Sequence, residues 1–151
     1  MLISESEADR SVSAMSIGTL LFSFRGRINR MPYWLVSLAM LFVMAAVFAL
    51  VGVSGVWQSA MLLLLLLIPW LWIGFALGVK RLHDRNKSAW WLAIFYVLPG
   101  ILEYIAEFVG DAGVVLLIAS FVVSIWALVE LGFLRGTPGP NNYGPDPLAG
   151  A

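Results

Sequence analysis

Three short polar segments interrupt an otherwise apolar chain, and they hold most of the residues that could do chemistry. The first is Phe22-Ser-Phe-Arg-Gly-Arg-Ile-Asn-Arg30, leading into Tyr33-Trp34. The second is Lys80-Arg-Leu-His-Asp-Arg-Asn-Lys-Ser-Ala-Trp-Trp91. The third is Arg135-Gly-Thr-Pro-Gly-Pro-Asn-Asn-Tyr-Gly-Pro-Asp-Pro147. Arg27, Arg30, Arg81 and Arg85 supply planar, permanently charged forks that match phosphate or carboxylate. Asp84, Asn142 and Asp146 are placed to hold such forks. His83 beside Asp84 has the residue types of an acid and base, but adjacent helical residues do not face each other. Glu130 falls inside an apolar stretch, where a carboxylate is costly and either functional or paired; near the end of its run, it would reach the headgroups or pair with Arg81. In the third segment Gly136, Gly139, Asn142, Gly144 and Asp146 read as a shaped loop, with Pro138-Gly139 suited to a tight turn. Gly26 plays the same part in the first segment.

Other chemistries are excluded or unsupported. The chain has no cysteine and one histidine, so thiol catalysis, disulfides and paired-histidine zinc sites are absent, and no metal or cofactor is expected. No nucleophile elbow, phosphate-binding loop or dinucleotide glycine pattern occurs. The formal net charge is zero, which argues for no nucleic-acid partner.

The elements that must position these groups are membrane helices. Apolar residues make up 61% and charged residues 12% of the sequence, and the mean hydropathy is +0.91. Soluble domains are about 45–50% apolar and about 25% charged, so the bilayer must solvate much of this chain. Four nearly uncharged runs approach the roughly 20 residues that a crossing needs: 33–53, 59–79, 89–109 and 114–134. The third is the weakest, being interrupted by Pro99-Gly100 and carrying Glu103 and Glu107. Those two acids and Asp111, at i, i+4 and i+8, would stack on one helical face. All nine Lys and Arg residues lie before the first run, between the second and third, or after the fourth. The positive-inside rule makes that side, with both termini, cytoplasmic.

The expected fold is therefore an all-α membrane protein, a four-transmembrane-helix bundle with both termini inside. A short interfacial helix would precede the first span, because Leu20, Leu21, Phe22 and Phe24 stand beside Arg25 and Arg27. A Gly/Pro-rich cytoplasmic loop would follow the last. Residues 1–14 read as a disordered tail, 15–148 as one membrane domain and 149–151 as a tail. The acidic opening (Glu5, Glu7, Asp9) does not read as a cleaved signal.

The three polar segments carry a resemblance. Phe24, Gly26, Arg27, Arg30, Tyr33 and Trp34 form one motif. Arg81, His83, Asp84, Lys87, Ser88, Trp90 and Trp91 form the next. Gly136, Gly139, Asn141 or Asn142, Tyr143, Gly144, Asp146 and Pro147 form the last. In this order the chain resembles the domain of unknown function 805 family, small inner-membrane proteins of bacteria, over about residues 20–148. Asn86 stands where that family often has glycine, a tight-turn position that asparagine tolerates. The resemblance implies a multi-pass protein of the bacterial inner membrane and brings no activity with it.

The leading functional expectation is a non-enzymatic protein whose three segments assemble one basic site on the cytoplasmic face. That site would take an anionic lipid headgroup, a phosphate-bearing ligand or an acidic partner protein. Membrane lipids, a second copy or another membrane protein are the expected partners. The alternatives are a small oligomeric transporter or channel subunit using Glu130, and a lipid-modifying enzyme using His83 and Asp84.

Overall fold

The computed structural model describes residues 16–54 and 56–149; the expected tail over 1–14 and residues 150–151 lie outside them. The described chain is helical, with no strand. Helix α1 is Ile17–Phe22, α2 is Arg30–Ser54 and α3 is Val56–Asp84. A π-helical turn over Ala93–Val97 runs into α4, Leu98–Ala106. A 3-10 turn over Gly110–Ala112 leads to α5, Gly113–Leu128, and α5 ends in a second π turn over Val129–Phe133.

Local chemistry sets these limits. Ser16 caps α1 by accepting from the Thr19 N–H at 3.2 Å. Asn29 Oδ1 accepts from the Met31 N–H at 3.1 Å at the start of α2. Helix α3 runs past the expected end of its span, through Lys80, Arg81 and Asp84, because these charges find partners inside the fold. It stops at a left-handed Asn86, φ 56°. There Asn86 N donates to His83 O at 3.0 Å and Lys87 N to Leu82 O at 2.9 Å, the paired closure typical of helix C-termini.

Three helical stretches are long and apolar enough to cross a membrane: Arg30–Gly52, Leu63–Asp84 and Gly110–Phe133. The expected third span is shorter. Its helix covers Ala93–Ala106, about 21 Å at roughly 1.5 Å per residue. Glu107 caps its end, and Gly110 takes a positive φ of 58° that turns the chain back. Glu103, Glu107 and Asp111 therefore do not share one helical face. Instead α4 and α5 form a tight antiparallel hairpin. Gly113 sits so close that a Cβ there would fall 2.4 Å from the Ala106 carbonyl oxygen. Farther along, Ser120 Oγ donates to Glu103 Oε1 at 2.6 Å, and Phe95 meets Trp126 edge-on at 5.2 Å.

The buried core lies at one end of the bundle. Val79, Leu82, Leu92, Phe95, Ala127 and Leu131 pack there with Phe24, Tyr33 and Trp91. Elsewhere large apolar side chains such as Phe42, Ile118 and Phe121 face outward. In this membrane protein that surface is the lipid-facing one, since helices satisfy their own backbone groups and need only apolar exteriors.

Candidate functional site

The three polar segments meet at the core end of the bundle, and Asp84 is where they join. Arg27 Nε and Nη2 both donate to Asp84 Oδ1 at 3.1 Å. Arg81 Nη1 donates to the other oxygen, Oδ2. All three side chains are almost completely buried, at 1%, 0% and 3% exposure. One carboxylate thus balances two guanidinium groups, and backbone carbonyls accept further donors of both. Arg27 Nη1 reaches Gly139 O at 2.7 Å and Gly144 O at 3.3 Å, and Nη2 reaches Thr137 O at 2.6 Å. A guanidinium has five N–H groups, so every donor of Arg27 is engaged. Arg81 Nε donates to Leu131 O at 2.7 Å and Nη2 to Leu134 O. Leu131 lies in the π turn that ends α5, and Leu134 is the extended residue that follows it.

The third segment is threaded onto this clasp by its own backbone. Thr137 N and Oγ1 donate to Asp84 O at 2.8 and 3.1 Å. Asn141 Nδ2 bridges His83 O at 2.8 Å and Thr137 Oγ1 at 2.9 Å. The His83 ring stacks on Tyr143 with centroids 3.8 Å apart, and its Nδ1 lies 3.3 Å from Gly26 O. A Cβ on Gly136 would fall 2.0 Å from Asp84 Oδ2, so only glycine lets the loop pass over the carboxylate. Asp146 binds the loop to itself, accepting from Gly139 N and Leu148 N at 2.9 Å each. Those two amides, the Leu148 one foremost, hold its carboxyl below the usual carboxylate range, with Arg27 and Arg135 adding to the effect. Asn142 sits farther out, its backbone N–H on Asn86 Oδ1 at 3.4 Å.

A second charged cluster flanks the first. Glu130, 4% exposed at its side chain, accepts from Arg85 Nε at 2.9 Å and pairs with Lys87 Nζ at 2.8 Å. Arg85 and Lys87, rather than Arg81, are its partners. Lys87 also lies 4.6 Å above the Trp91 ring, and Arg85 Nη1 donates to Arg135 O at 2.7 Å. Arg30 is exposed and gives one N–H to Phe133 O at 3.1 Å. Lys80 is wholly buried and points the other way, to Thr19 O at 3.0 Å and Leu20 O, tying α1 to α3.

The six residues singled out as ligand candidates thus fall into two layers. Arg27, Arg81 and Asp84 form the inner clasp, with His83 stacked beside it, while Arg30 and Arg85 stand in the outer layer. Thr137, Asn141 and Lys80 carry bonds that reading the sequence did not assign to them. For Asn141 the motif itself was the available signal; Thr137 offered none, since most of its role is played by its backbone. Among the described residues no buried side-chain polar atom lacks a partner, and no three His, Asp or Glu side chains gather as a metal site would need.

A family model described as "Protein of unknown function (DUF805)" matches residues 21–145, from α1 to the loop over the clasp. Similar proteins include "Uncharacterized protein YiiR" of Escherichia coli (strain K12), 33% identical over 146 residues, which span 87% of this chain and 90% of that one. "Inner membrane protein YhaH" of the same organism is 30% identical over 136 residues, 82% and 86% of the two chains. "Inner membrane protein YhaI" is 29% identical over 129 residues, 85% and 88%. No solved structure matches the chain significantly.

Proposed function

The chain belongs to the DUF805 family of proteins of unknown function, and from that premise we propose that it is a non-enzymatic inner-membrane protein whose cytoplasmic face is one preassembled platform for anionic lipid headgroups. The clasp carries this reading. Arg27, Asp84, Arg81 and the 135–147 loop draw segments far apart in sequence onto one surface. Arg30 and Arg135 then stand exposed around it, at the depth where anionic headgroups lie. The inner charges are held by the protein itself, so the outer ones are left for a ligand.

The reading includes four crossings with both termini cytoplasmic. Helix α5 begins beside Ala106 and ends beside Asp84. The short helix Ala93–Ala106 accordingly runs the chain back along the α5 hairpin face, and the bilayer can thin locally to suit a short span. Eight of the basic residues, from Arg25 to Arg135, gather at the clasp end, whereas Glu107 and Asp111 occupy the other.

The alternatives lose their particular supports. Glu130 is a salt-bridged acid rather than one open to a permeation path. His83 and Asp84 have separate partners and do not form an acid–base pair. Native mass spectrometry of the protein released from membranes of known composition tests the platform. Retained lipid enriched in anionic phospholipid is expected; a profile that mirrors the bulk membrane would overturn the reading.

A further inference from the structure

Beside the clasp lies a cavity of about 410 Å³, lined among others by Asn29, Arg30, Trp34, Phe133 and Leu148. A small cleft continues from it past Arg30 to Arg135. The cavity has a charged mouth and an apolar wall. Arg30 is exposed and opens the span Arg30–Gly52, so its guanidinium stands where hydrocarbon gives way to headgroups. One of its N–H groups is on Phe133 O, and a guanidinium has five. The wall is fixed in place: the Trp34 indole N–H is engaged by Gly132 O at 3.0 Å, and its ring meets Phe133 edge-on at 5.6 Å. Leu148 completes the apolar side.

The surrounding charge favours an anion. Asp84 and Asp146 also border the cleft, but the oxygens of Asp84 are taken by Arg27 and Arg81 and those of Asp146 by two backbone amides. Arg27 has no donor to offer, and Arg85 is turned to Glu130 and Arg135 O. Arg30 is the motif arginine that remains, with Arg135 as its neighbour.

We infer that this cavity seats one anionic phospholipid, its phosphodiester against Arg30 and its glycerol and first methylenes against Trp34, Phe133 and Leu148. The inference rests on the platform reading and names the site within it. A planar fork suits the two free oxygens of a phosphodiester, and an aromatic wall directly below suits the start of an acyl chain.

The test uses the full chain in nanodiscs of phosphatidylglycerol and phosphatidylcholine, with retained lipid read by native mass spectrometry. Arg30→Gln should weaken phosphatidylglycerol retention about tenfold, the scale of a lost charge-assisted hydrogen bond. Leu148→Glu, which places a carboxylate at an exposed position on the cavity wall, should do the same while leaving the clasp untouched. Arg25→Gln removes an equal charge outside the cavity and should leave retention within about twofold. If Arg25→Gln and Arg30→Gln weaken retention equally, or neither does, the cavity assignment falls and the platform reading stands. If the wild-type protein shows no preference for phosphatidylglycerol, both fall. Millimolar inorganic phosphate should not displace the lipid; displacement would assign the site to free phosphate instead and overturn the headgroup assignment.

Discussion

At the scale of single residues, Asp84 decides whether the polar end holds together. Its two oxygens neutralise two buried guanidinium groups. Removing one member of a buried ionic cluster typically costs about 3–5 kcal/mol, because the charges left behind stay buried and unpaired. Asp84→Asn keeps the shape and removes the charge, so a stability loss of that size is expected in denaturant or thermal unfolding of the detergent-solubilised protein. Asp146 gives a pH-dependent counterpart. Its folded pKa is depressed by the Leu148 and Gly139 amides. Its contribution is therefore full above the unfolded value of about 4 and is lost as pH falls from there through the lower folded value. Amide exchange at Gly139 and Leu148 should stay protected at neutral pH and lose that protection only in this acid range. The charge types at 27, 81 and 84 were legible in the sequence, and so was their gathering. Their partners were not, because most acceptors of Arg27 and Arg81 are backbone carbonyls. Every residue has such a carbonyl, so composition cannot mark the ones that matter.

At the scale of elements, apolar run length located α2, α3 and α5 well, since each must satisfy the same hydrocarbon thickness. It overestimated the third span because hydropathy does not see where a turn begins. Val109 is as apolar as any helical residue, yet the helix ends at Ala106 so that Gly113 can pack against its carbonyl. That contact makes Gly113 the residue on which the hairpin depends. Gly113→Val should splay α4 from α5 and destabilise the protein by about 1–3 kcal/mol, the usual cost of forcing extra volume into a packed contact. Gly52→Ala, where nothing lies within 4 Å, should be nearly neutral in the same unfolding assay. The overrun of α3 to Asp84 was also hidden: a run containing Lys80 and Arg81 reads as the end of a span unless their internal partners are known.

At the scale of the whole molecule, the four-crossing reading has a direct test. The sequence lacks cysteine, so single introduced cysteines report without background. Glu107→Cys and Pro140→Cys are both at exposed positions. An impermeant maleimide added to intact spheroplasts should label the first and not the second, and both once the membrane is opened. Labelling of Pro140→Cys from outside would instead support three crossings, with the short helix lying in the interface.

The clasp also imposes an order in time. A chain emerging from the ribosome presents Arg27 first, Asp84 much later, and Thr137, Gly139 and Gly144 only after every described helix has been made. Until then Arg27 lacks the carbonyls that take three of its contacts. The polar end therefore closes only once the 137–144 loop has been made. A nascent protein interrupted before residue 137 would present to the cell's proteases an open surface that the finished one conceals.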